Sequence, residues 1–211
     1  MRVRTLTAVT LGLIASSTAV ADTPTTVDEA IAAVEAKYTD VSALQASFTQ
    51  TVRNPIFGDD VQTGEVTLAR PTKMHWSFGG GEREFVTDGS TMWIYTKADN
   101  QVIQYDSFAP SAGGAESLLT SLDTIDEVFN VDLVSSNPTV LDLTPKEEGQ
   151  FKSVTLTLDA DLLVDVLSIV DPFDNTTLID FDGMVLNGPA PDSLFTFDIP
   201  EGANVVNAGS L

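Results

Sequence analysis

The sequence predicts a mainly β protein: an incomplete, unclosed antiparallel β-barrel of about eleven strands, covered by an α-helical lid. Three observations carry that prediction. Apolar residues alternate with polar ones, period two, through most of the chain from Leu44 onward, and Gly, Pro, Asn and Asp clusters punctuate the runs. Two stretches, 27–38 and 115–129, switch to helical spacing instead. A sheet made of that many strands curves, and its concave face is the surface on which two apolar helix stripes can be buried.

The first 21 residues are an address label. Arg2 and Arg4 precede a short apolar run from Leu6 to Ile14, and Ala19-Val20-Ala21 supplies a small-x-small cleavage site. Export, cleavage after Ala21, and a single domain over residues 22–211 are expected. Thr26 and Glu29 then form a capping box, with Val27, Ile31, Val34 and Tyr38 on one side of a helix over 27–38. From Leu44 the period becomes two: Leu44, Ala46, Phe48 and Val52 share a strand face. Turns at Asn54-Pro55 and Gly58-Asp59-Asp60 lead into the stretch 64–95, around which the chain is organised.

In that stretch Val66, Leu68, Arg70, Met74, Trp76 and Phe78 fall on one face, and Glu65, Thr67, Lys73, His75 and Ser77 on the other. Pro71 cannot donate to a ladder, which predicts a sheet edge or a bulge there. Arg70 is a permanent cation on the apolar parity. Burying it requires a partner. Gly79-Gly80-Gly81 turns the chain, 84–87 and 91–96 form a hairpin about Asp88-Gly89, and 101–105 follows. Pro110, Gly113 and Gly114 mark a flexible segment. Leu118, Leu119, Leu122, Ile125 and Phe129 then recur at helical spacing, with Glu116, Thr120, Asp123 and Glu127 opposite, predicting an amphipathic lid helix over 115–129. Strands resume at 130–134, 139–144, 151–158, 163–170, 176–186 and 193–198. The tail from Val205 has no pattern that assigns it.

Composition excludes several functions. The formal net charge is −21, and removing Arg2 and Arg4 makes the mature chain more acidic, so no nucleic-acid partner is expected. The acidity reads either as a solvated surface, suited to a salt-rich medium, or as a docking field for a basic partner. There is no cysteine, hence no disulfide, thiol nucleophile or thiolate metal site. His75, the one histidine, lies among strand residues without a nucleophile-elbow motif. Asp159-x-Asp161 begins like a calcium loop, but Leu163 takes the next ligand position. Asp180 and Asp182 share a strand face, as solvent-facing alternation also requires. No catalytic residue, metal or cofactor is expected.

What remains is apolar bulk. Trp76, Trp93, Phe78, Phe85, Met74 and Met92 crowd one hairpin region, which is either an ordinary core or the wall of a ligand cavity. An apolar interior, a movable cover and one polar tie would suit a carrier of apolar ligands.

Five stretches, in order, carry a resemblance: LQASFTQ at 44–50, Gly64-x5-Arg70-Pro71-x4-Trp76, VTDGSTMWIY at 86–95, LTPK at 143–146 and FTFDIPEG at 195–202. With them the chain resembles the periplasmic outer-membrane lipoprotein carrier family, LolA, over essentially its whole mature length. The resemblance implies an unclosed barrel under a helical lid, monomeric and periplasmic. Such a protein receives acylated lipoproteins from an inner-membrane ABC transporter (LolCDE) and hands them to an outer-membrane receptor (LolB). It further implies that Arg70 latches the lid through groups near 110–125, and that Trp76 lines the acyl-chain cavity. With the neighbouring pattern, the expected cavity is Phe48, Leu68, Met74, Trp76, Phe78, Phe85 and Trp93, and the expected apolar face of the lid is Leu118, Leu119, Leu122, Ile125 and Phe129. The alternative is a related barrel-and-lid protein that binds another lipid or senses lipoproteins.

Overall fold

The computed structural model describes residues 23–54, 56, 58–107, 115–147 and 151–210. The expected signal peptide, its cleavage after Ala21, and the Pro110, Gly113 and Gly114 segment lie outside the described residues. Helix α1, Val27–Tyr38, is where the spacing puts it. Its capping box closes as expected: Glu29 N–H donates to Thr26 Oγ1 at 3.2 Å, and Glu29 Oε2 accepts from Thr26 N–H at 3.3 Å. The Thr25 N–H and hydroxyl also donate to that carboxylate, so its pKa is held below the usual carboxylate value, by the Thr25 backbone bond first. Ala30, Val34 and Tyr38 form the buried stripe.

Twelve strands make one sheet: β1 (Ala43–Asn54), β2 (Gly58–Ala69), β3 (Lys73–Phe78), β4 (Arg83–Thr87), β5 (Met92–Thr96), β6 (Gln101–Ser107), β7 (Phe129–Ser136), β8 (Thr139–Pro145), β9 (Ser153–Leu158), β10 (Val164–Val170), β11 (Thr176–Leu186) and β12 (Asn204–Ser210). Their order is β12-β6-β5-β4-β3-β2-β1-β11-β10-β9-β8-β7. Successive strands pair antiparallel from β1 to β6 and from β7 to β11, and β1 joins the two halves by pairing with both β2 and β11. Among the described residues no ladder joins β12 to β7, so the sheet is open, as expected. The β4–β5 turn shows the local chemistry. Asp88 Oδ1 accepts from Ser90 and Thr91 N–H, each at 2.8 Å, and Gly89 has φ +97, where a Cβ would come 2.3 Å from Thr72 Oγ1.

Four expectations change. Pro71 marks neither an edge nor a bulge. It sits in the turn after β2, where the last pair of the ladder is Ala69 opposite Lys73. The lid is not one helix: 3₁₀ turns at Ala115–Thr120 and Leu122–Thr124 lead into a single α-turn, α2 (Ile125–Val128), and Phe129 already begins β7. Leu119, Leu122 and Ile125 are three apart, which in a 3₁₀ turn stacks them on one side. Third, 193–198 is no strand, but a 3₁₀ turn at Asp192–Phe195 followed by chain outside any ladder. Its aromatic residues pack on the sheet's outer face: Phe195 is 1% exposed, and Phe197 meets Trp93 at 6.4 Å and Tyr95 at 5.7 Å. Fourth, the unassigned tail is β12, the one parallel strand, laid along β6.

Candidate functional site

The period of two assigns each strand a concave and an outer face. On the concave face β1 places Leu44, Ala46 and Phe48; β2 places Val66 and Leu68; β3 places Met74, Trp76 and Phe78. Phe48 is central, edge-on to Trp76 at 4.9 Å and to Phe78 at 5.0 Å. Its cross-strand partner is Gly64, where a Cβ would lie 2.6 Å from Phe48 Cζ, so only glycine admits the ring. Phe85 stands 5.6 Å from Phe78, completing this wall. The opposite wall comes from Leu141, Leu143, Val154, Leu156, Leu167, Ile179 and Phe181, all within one buried cluster.

The covering segment inserts into that cluster. Leu118, Leu119, Leu122, Ile125 and Phe129 are all buried, with Leu122 and Ile125 at 0% exposure. They join α1's Ala30, Val34 and Tyr38 and the concave-face residues in one buried cluster, so the cover's own side chains pack against that face. Among the described residues one ion pair ties the cover to the sheet. Arg70 Nη1 donates to Asp123 Oδ2 at 2.6 Å, with the two side chains 19% and 28% exposed. The Arg70 backbone is itself pinned, its N–H donating to Ser42 O at 2.9 Å. The second nitrogen, Nη2, is buried and has no hydrogen-bond partner among the described residues.

Two titrating groups mark how α1 meets the rest of the fold. Burial pushes the Tyr38 phenol up to about 12, and its oxygen accepts from Val164 N–H at 3.2 Å. Burial, reinforced by Asp126 on α2, holds the Glu35 carboxyl above its ordinary value.

Of the expected cavity residues, Phe48, Leu68, Met74, Trp76, Phe78 and Phe85 come together. Trp93 does not. It pairs with Val86, the cross-strand partner of His75, so it lies on the outer face, where its indole donates to Gln104 Oε1 at 3.1 Å. The β4–β5 turn shifts strand parity, and counting alternation through β5 from Met92 puts Met92 and Ile94 inward instead. Helical spacing places Asp123 on a polar side without pairing it to Arg70. No motif singles out Arg83, although its parity with Phe85 aims it inward: its guanidinium lies 4.3 Å over Phe78 and 5.2 Å over Phe85, and Nη2 donates to Gln62 Oε1 at 3.0 Å.

The remaining candidates sit apart from this site. His75 is on the outer face, with Nε2 3.9 Å from Glu84 Oε1. Asp180 and Asp182 also face outward, where they line an open cleft of about 580 Å³ with Ser47, Thr49, Glu65 and Ser77. Asp159 commits its Oδ1 to its own turn, accepting from Asp161 and Leu163 N–H. Among the described residues no group of three His, Cys, Asp or Glu is placed to hold a metal ion. No described helix is long and apolar enough to cross a membrane.

An apolar cup formed from one open sheet, covered by a short segment that an ion pair ties to it, defines the class of carriers that shelter apolar groups. The chain belongs to the outer membrane lipoprotein carrier protein LolA family, whose model matches residues 39–198. It is 30% identical over 181 residues to the outer-membrane lipoprotein carrier protein of Halorhodospira halophila, covering 83% of this chain and 85% of that one. To the corresponding protein of Chromohalobacter salexigens it is 32% identical over 150 residues, 69% and 71% of the two chains. Among solved structures, an uncharacterized conserved protein from Thermus thermophilus shares the fold, with a TM-score of 0.51 at 14% identity over 85% of this chain and 98% of that one.

Proposed function

We propose that this protein is a periplasmic lipoprotein carrier, not an enzyme, which shelters the acyl chains of lipoproteins on the concave face of its sheet. It takes them from an inner-membrane ABC transporter and yields them to an outer-membrane receptor, acting as a monomer after its signal peptide is removed. The observation that carries the reading is the Arg70–Asp123 pair closing an apolar cover over an apolar cup.

The energetics explain why a covered cup serves better than an open one. Each methylene kept from water is worth about 0.8 kcal/mol, so one sixteen-carbon chain in the aqueous space costs roughly 12 kcal/mol. A permanently open cup would recover most of that and never release it. Here Leu118, Leu122 and Phe129 occupy the surface that cargo needs, so acyl chains displace the cover and bind with their affinity reduced by the fraction of molecules that are open. Arg70 and Asp123 act as the latch that sets this fraction.

The direct test incubates the mature protein with inner-membrane vesicles carrying the transporter and a lipidated cargo. Appearance of cargo in the soluble fraction supports the reading, and cargo that stays with the vesicles refutes it. Arg70→Leu should raise the open population, so the variant loads cargo but transfers it poorly; transfer to the receptor equal to wild type would remove the latch role.

A further inference from the structure

The concave face carries buried hydrogen-bond donors that have no acceptor among the described residues. Trp76 is 2% exposed, and its indole Nε1–H is one of them. Arg70 Nη2, in the β2–β3 turn, is another. Arg83 lies on the same face at the other end, its strand position paired with Phe78 and its guanidinium over that ring. Two acceptors on this face are engaged, Asp123 Oδ2 by Arg70 and Gln62 Oε1 by Arg83, and the amide of Gln50, opposite Gln62 in the ladder, brings donors as well as an acceptor. A buried donor left without an acceptor is rare in native proteins and calls for a reason. The ring of Phe48, edge-on to the indole, is at best a weak acceptor.

A ligand that complements the buried indole must therefore bring an acceptor. Hydrocarbon alone would leave the indole N–H unpaired, and a hydroxyl-rich headgroup would add donors of its own. An ester carbonyl meets the requirement: two lone pairs, no hydrogen, and a position at the head of an acyl chain. We propose that the cup recognises the ester carbonyls of its lipid, with Trp76 Nε1–H donating to one carbonyl oxygen inside the cup and the guanidinium of Arg83 facing the polar linkage at its rim. The inference deepens the carrier reading and rests on it. It assigns Trp76 a polar role beyond lining the cavity and separates acyl esters from other apolar chains.

The test compares two probes of equal chain length, a dihexadecanoyl glycerol and the dihexadecyl ether that lacks both carbonyls, by displacement of a bound apolar dye. Wild type should bind the ester roughly three- to tenfold more tightly, the worth of one hydrogen bond. That ratio should fall to near one in Trp76→Phe, which keeps an aromatic ring but no N–H. Equal affinity of ester and ether for wild type, or an unchanged ratio in Trp76→Phe, overturns the proposal and leaves the carrier reading standing. Failure of both probes to displace the dye overturns both. In wild type the carbonyl stretch of a ¹³C-labelled ester should lie at lower frequency than in the same ester dissolved in hydrocarbon. An unshifted band overturns the proposal without recourse to any variant. Hexadecanoate serves as a third probe: binding tighter than the ester, and lost in Arg83→Met, would assign the face to free carboxylates instead and overturn the ester assignment.

Discussion

At the scale of single residues, stability and function are served by different polar groups. Tyr38 is wholly buried, and its oxygen accepts the Val164 N–H, tying α1 to β10. Its pKa rises from 10.0 to about 12 because burial disfavours the phenolate. Between those values the folded protein holds a proton that the unfolded chain has released, so stability falls as pH rises through that window, by roughly 2–3 kcal/mol in full. Tyr38→Phe should lose about 1–3 kcal/mol at pH 7, because the Val164 N–H is left unpaired, and should flatten the stability profile between pH 10 and 12. Urea unfolding across that range measures both effects. The Arg70–Asp123 pair is partly wetted, so its worth to global stability is about 1 kcal/mol or less. On the proposed carrier reading its leverage lies in choosing between open and closed covers.

At the scale of elements, the cover does little to hold itself together. Two 3₁₀ turns and one α-turn hold fewer internal hydrogen bonds than a helix of equal length, and their stability comes from five apolar side chains inserted in the cup. Shortening one of them should therefore act with opposite signs on two observables. Leu122→Ala should lower unfolding free energy by about 2–5 kcal/mol and raise the affinity for an apolar dye, since the competitor for the cup is weakened. Affinity falling together with stability would show that Leu122 contributes to the binding surface and does not compete for it. Glu35 on α1 faces Asp126 and Glu127 on α2, so its pKa, raised first by burial, also reports like charge across the same junction. The folded state gains relative to the unfolded chain as pH drops toward that pKa, and loses that gain as pH rises through it. The contact between α1 and the cover is thus firmer in acid, and dye binding should weaken as pH is lowered from neutral toward the ordinary carboxyl value of 4.5.

At the scale of the molecule, net charge and sheet edges set the constraints. A chain at −21 repels itself when compact, and salt screens that repulsion beyond about 10 Å at 0.1 M. Melting temperature should rise between 10 mM and 0.5 M sodium chloride; a fall would mean that attractive pairs such as Arg70–Asp123 outweigh the repulsion. The open sheet also leaves edges. β12 covers one of them by pairing in parallel with β6, anchored by Asn204 N–H to Asn100 O at 2.8 Å and by Asn207 to Asp106. Deleting 204–211 would bare the β6 edge, and self-association in sedimentation velocity is the expected result.

Much of this is legible in the sequence because it is local. Alternation sets nearly every strand, the Thr26–Glu29 box sets the start of α1, and a guanidinium on an apolar parity announces that Arg70 needs a partner. What the sequence misses is a matter of distance. Trp93 reads as inward because parity within one strand does not reveal which face survives a turn; only the register of β4 against β5 does. The tail after Asn204 carries no apolar alternation, since a strand exposed on an open edge has no buried face to write into its sequence. The amino acids thus determined by themselves the curved antiparallel sheet, its apolar concave side and the presence of a covering segment, because periodicity and capping act between near neighbours. Tertiary structure alone decided that Asp123 meets Arg70 across 53 residues, and that the Trp76 N–H finds no acceptor among the described residues. Both depend on which groups folding brings together and which acceptors it uses up, and spacing along the chain records neither.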